Sequence, residues 1–103
     1  MVKEPTIFDE ILENLENKIR TLRQDMDKLH AENDTWRKEI DATVKSMDSL
    51  PWNEQAEARN DIHYYEGIIR VNEKMIEKCR EQIQDLQHEI QENMKLKNPG
   101  KER

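Results

Sequence analysis

From Phe8 to Leu50, side chains that suit a helix core recur in alternating steps of four and three. They are Phe8, Leu12, Leu15, Ile19, Leu22, Met26, Leu29, Asn33, Trp36, Ile40, Thr43, Met47 and Leu50, and only Asn33 and Thr43 are polar. A repeat of about 3.5 residues keeps one stripe of a helix turned toward a partner helix, which is the a/d seam of a coiled coil. The seam fixes architecture and names no substrate. Composition agrees with it. Apolar residues make up 34% and charged residues 39% of the 103 residues, too few apolar groups for a compact globular core. With few Gly and Pro and an unbroken periodic stripe, the chain reads as a long-helix protein rather than a disordered one.

The stripe breaks at Asp48-Ser49-Leu50-Pro51-Trp52-Asn53. Proline drives the preceding residue out of helical angles, and its ring clashes with a preceding helical turn. Beyond it a second seam starts in a frame displaced by one residue. It reads Ala58, Ile62, Tyr65, Ile69, Asn72, Ile76, Cys79, Ile83, Leu86, Ile90, Asn93 and Lys97. The expected fold is all-α, a long antiparallel two-helix coiled-coil hairpin that dimerises into a four-helix bundle. Residues 1–103 form one helical-hairpin domain, with helix 1 at about 7–49, a turn at about 50–53 and helix 2 at about 54–97. Thr6 is the expected N-cap of the first helix, with Asp9 and Glu10 in its first turn, and Ser49 or Asn53 would cap the second. Residues 1–5 read as a short mobile lead. Asn98-Pro99-Gly100 should end the second helix, leaving a mobile tail over 98–103.

A tight turn makes the helices antiparallel, so a positions of one face d positions of the other. Centring the turn at Pro51–Trp52–Asn53 pairs Trp36 with Ile69, Leu29 with Ile76, Met26 with Cys79, Leu22 with Ile83, Ile19 with Leu86 and Leu15 with Ile90. The same register sets Asn33 opposite Asn72. Asparagines in a seam lower stability but select register, because slippage leaves their amides unsatisfied. Arg37 should lie near Glu66 and Glu73, and Lys18 near Glu89.

Off the seam, the second helix carries another apolar stripe, Tyr64, Ile68, Val71 and Met75, with Gly67 beside it. Trp52 in the turn and Val44 lie toward the same end. Either the stripe widens the hairpin's own core or closes a homodimeric bundle, or it docks another protein. Trp52, Tyr64, Ile68, Val71 and Met75 are the expected partner or dimer interface, and Asn33 and Asn72 the register-setting core. The outer half, toward the termini, should be polar outside its seam. A glycine inside a helix costs up to about 1 kcal/mol relative to alanine, so close approach of another backbone would account for Gly67.

Chemistry-bearing patterns are sparse. The two glycines, Gly67 and Gly100, form no phosphate loop. Asp27 with His30, and Asp85 with His88, have helical metal-ligand spacing, but a bundle metal site needs carboxylates facing inward from several helices. Cys79, the single cysteine, occupies a seam position and reads as a small core residue. No catalytic residue, metal or cofactor is expected, and the chain does not read as an enzyme. The net charge of −6 disfavours a nucleic-acid backbone as partner, and Arg20, Arg23, Lys74 and Lys78 are basic spots in acidic surroundings. With no signal-like or spanning segment, a cytoplasmic protein with no membrane partner is expected. The expected function is a non-enzymatic coiled-coil interaction module, an adaptor, assembly factor or small regulator that docks helix on helix. The alternative is an acidic decoy of a nucleic-acid-binding protein.

Overall fold

The structure, a computed structural model, describes residues 6–97. Two helices fill it: α1, Ile7–Met47, and α2, Trp52–Lys97. Among the described residues there is no strand. The expected lead over 1–5 and the Asn98-Pro99-Gly100 stop with its tail lie outside the described residues.

Thr6 starts α1 as the spacing requires. Its hydroxyl accepts from the Asp9 N–H at 3.2 Å, and the Asp9 carboxylate accepts from the Thr6 N–H at 3.1 Å. This reciprocal pair satisfies two donors that the first turn would otherwise leave open. No Gly or Pro interrupts α1, and its seam residues are buried or half-buried along the whole length.

The turn departs from the expected boundaries by about two residues. α1 stops at Met47 in a tightened turn, with Ser49 N–H donating to Ser46 O and Leu50 N–H to Met47 O. The Ser49 hydroxyl also donates to the Ser46 carbonyl, at 2.8 Å, so Ser49 closes α1 and does not cap α2. α2 begins at Trp52, because the Gln55 N–H already donates to the Pro51 carbonyl at 2.9 Å. Proline lacks an N–H and holds φ near helical values, so the helix starts immediately after it. Asn53 lies within the first turn of α2, exposed, rather than capping it. The Gln55 carboxamide reaches back instead and donates to Leu50 O at 3.0 Å.

Packing divides the described residues into two compact units, Met26–Glu77 around the turn, and those up to Asp25 with those from Lys78 onward. In the turn unit, Ala58, Ile69 and Ile76 are buried and Leu29, Trp36, Ile40, Ile62 and Tyr65 half-buried between the two antiparallel helical segments. Asn33 and Asn72 are 1% and 6% exposed at its centre. The Asn72 Nδ2 donates to Asn33 Oδ1 at 2.9 Å, and Asn33 Nδ2 donates to the Ile69 carbonyl at 3.4 Å. The facing asparagines of the sequence register therefore meet. Among the described residues, no buried side-chain nitrogen or oxygen lacks a partner.

Beside them Arg37 bridges to Glu73 at 3.4 Å and to Asp34 at 3.2 Å, while Glu66 lies 3.9 Å from His63 instead. These side chains are all exposed, so the pairs contribute at most about 1 kcal/mol each and leave register to the seam.

In the terminal unit, Leu15, Ile19 and Ile83 are buried, and Leu22, Leu86 and Ile90 half-buried. Leu22 and Leu86 line one groove with Lys18 and Asp85 on its rim, and Ile19 and Ile90 share another. Both grooves draw side chains from both helices, as the antiparallel pairing demands.

Candidate interaction surface

The a/d seam turns one face of α2 onto α1, and what remains outside is decided by helical spacing. Tyr64, Ile68, Val71 and Met75 lie one residue before the seam positions Tyr65, Ile69, Asn72 and Ile76, so a 100° step carries them off the buried face. Ile68 is half-buried. Tyr64, Val71 and Met75 are 67%, 57% and 47% exposed. Within this chain, therefore, only Ile68 widens the hairpin's core.

His63, Tyr64, Gly67, Ile68 and Val71 line an open apolar trough along α2, and Met75 extends the stripe one turn further. An aromatic ladder ties the trough to the core. Tyr64 meets Tyr65 edge-on at 6.1 Å, Tyr65 stacks on Trp36 at 5.2 Å, and the Trp36 indole N–H donates to Glu32 at 3.2 Å. Held in this way, Tyr64 loses little further rotamer freedom when something covers it.

Gly67 sits in this trough. A Cβ placed there would meet only the Arg70 Nη2, at 3.9 Å, an ordinary contact. Nothing among the described residues requires glycine at this position. Gly67→Ala is accordingly expected to stabilise the dilute chain, by up to about 1 kcal/mol, through helix propensity alone. Urea unfolding at low protein concentration checks this, and a lower midpoint for the alanine variant would contradict it.

Trp52 stands apart from the four. It is 80% exposed at the first residue of α2. Twelve residues separate it from Tyr64, which places it about 120° away around the helix. Val44 is also exposed, on α1. The expected set thus resolves into a stripe of four and an isolated tryptophan at the turn.

The terminal unit is less polar than its sequence pattern suggests. Ile7, Met94 and Leu96 are exposed and Ile11 is half-buried off the seam. The Ile7/Ile11 spacing was the available signal for a short apolar strip at the start of α1. The groove over Leu22 and Leu86 had no sequence signal, since both residues are seam members and their incomplete closure is a matter of packing.

Among the described residues, chemistry-bearing side chains do not converge. His63 pairs with Glu66, and His88 lies 3.9 Å from Glu92, not with the Asp85 of its helical motif. Among the described residues no three His, Cys, Asp or Glu come together as a metal site. Cys79 is a half-buried free thiol. Among the described residues no helix is long and apolar enough to cross a membrane. No protein-family model matches the chain, and no curated protein or solved structure does either.

Proposed function

We propose that the protein is a non-enzymatic interaction module that docks a helix against the outer face of α2. The observation that supports this is the exposure of Tyr64, Val71 and Met75 on a hairpin whose described buried polar side chains are already satisfied. Contiguous apolar groups left in water mark interaction sites, and an amphipathic helix lays i, i+3, i+4 and i+7 anchors into such a trough. Tyr64 and Ile68 are the anchors, because one is held by the aromatic ladder and the other is already partly desolvated.

Val71→Glu with Met75→Glu tests the reading without touching the seam. The expected result is unchanged helicity by circular dichroism together with loss of partner binding or of oligomer mass. Unchanged binding and unchanged mass would refute it. Ionic strength separates this reading from an acidic decoy. Apolar docking should change little between low and moderate salt, whereas a decoy held by charge should weaken steeply.

A further inference from the structure

We infer that the occupant of the α2 trough is a second copy of this chain, packed antiparallel about a two-fold axis at Gly67 and Ile68. The inference rests on the docking reading above and adds the partner and its orientation. Its first support is self-complementarity. A two-fold contact must pair one surface with itself. With the axis between Gly67 and Ile68, Gly67 of each copy falls opposite Ile68 of the other. Tyr64 then meets Val71, and the large aromatic ring is matched to the smaller isopropyl group on each side.

The glycine gains a role here that it lacks in the single chain. Its missing Cβ would make only an ordinary contact with the Arg70 side chain, so its helix cost is uncompensated internally. At the axis the same gap lets the two α2 backbones approach closely, and Ile68 of each copy then reaches the other's trough.

Charge selects the orientation. The N-terminal end of the stripe carries exposed Glu57 and Asp61, and its other end carries exposed Lys74. An antiparallel copy lays Lys74 over the acidic end of its neighbour, twice by symmetry. A parallel copy would set acid on acid and base on base. Nearby carboxylates are already engaged, Glu73 by Arg37 and Glu66 beside His63.

The contact is limited in area. Specific interfaces bury about 800 Å² per partner, more than three turns of one helix supply, so a reversible dimer follows rather than an obligate one.

Sedimentation equilibrium of the full chain from micromolar to millimolar concentration is the test. The wild-type mass should rise from one chain of 12.4 kDa toward two. Glu57→Lys with Asp61→Lys should weaken association several-fold, as should Lys74→Glu alone. The three changes combined should restore it, because the reversed ends again meet opposite charge. Gly67→Ala should weaken association while raising the unfolding midpoint of the dilute chain. A wild type that stays monomeric at millimolar concentration would overturn the second copy as occupant. Charge variants that all associate like wild type would overturn the antiparallel orientation. Neither outcome refutes helix docking as such, which fails only if Val71→Glu with Met75→Glu changes neither binding nor mass.

Discussion

Asn33→Ala is expected to destabilise the hairpin by about 1–3 kcal/mol, although it removes only one neutral side chain. Asn33 is 1% exposed and serves both as acceptor for Asn72 Nδ2 and as donor to the Ile69 carbonyl. Its removal leaves the Asn72 amide, itself buried, facing a small void too apolar to supply a substitute. The cost is that of an orphaned buried donor, which exceeds the net worth of the hydrogen bond itself. Asn33→Leu with Asn72→Leu should behave oppositely. With both amides gone nothing is left unsatisfied, and the unfolding midpoint should rise above wild type. What the leucine pair loses is selectivity, because a seam of apolar residues alone tolerates a heptad slip. Denaturant unfolding of both single variants and the alanine double variant would give a coupling energy of about 0.5–3 kcal/mol if the amides act as a pair. Additive effects would contradict the pairing, and doubled amide resonances in the leucine variant would reveal the slipped register.

Ile76→Ala should cost more still, about 2–5 kcal/mol, while Met75→Ala one residue earlier should cost about 0.5 kcal/mol or less in the dilute chain. Ile76 is 3% exposed in the seam, and Met75 is 47% exposed on the outer stripe. Truncating the first leaves a cavity that rigid neighbours cannot fill. Truncating the second removes surface that water already touches. Chemical denaturation at low protein concentration measures both. Equal costs would mean that the outer stripe is buried even in dilute solution, and that the hairpin does not exist apart from its assembly.

Much of this architecture is legible in the residue pattern. Two seams interrupted at Pro51 leave a fold-back as the arrangement that buries both, and Asn33 and Asn72 pin the register. Thr6 and Asp9 announce the start of α1 because a capping box needs only local spacing. The turn was less legible. Ser49 and Asn53 are both good caps by residue type, but the bond from Gln55 N–H to Pro51 O starts α2 before Asn53 can act. Trp52 could be grouped with the stripe by position along the chain, and only the helical angle from its place at the head of α2 separates them. The structure also shows where the other polar seam residues turn. Thr43 and Asn93 bond back to the Glu39 and Glu89 carbonyls of their own helices, whereas Asn33 and Asn72 bond across.

The order of the residues by itself determined the helices, their reversal and which stripe of each turns inward, because periodicity and proline act locally. Tertiary structure decided how much of the outer face of α2 stays in water, and that Gly67 is not crowded by its own chain. These depend on how far each side chain reaches across a packed pair. Spacing sets the direction in which a side chain leaves its helix, but only the neighbouring helix sets whether solvent remains at the end of it.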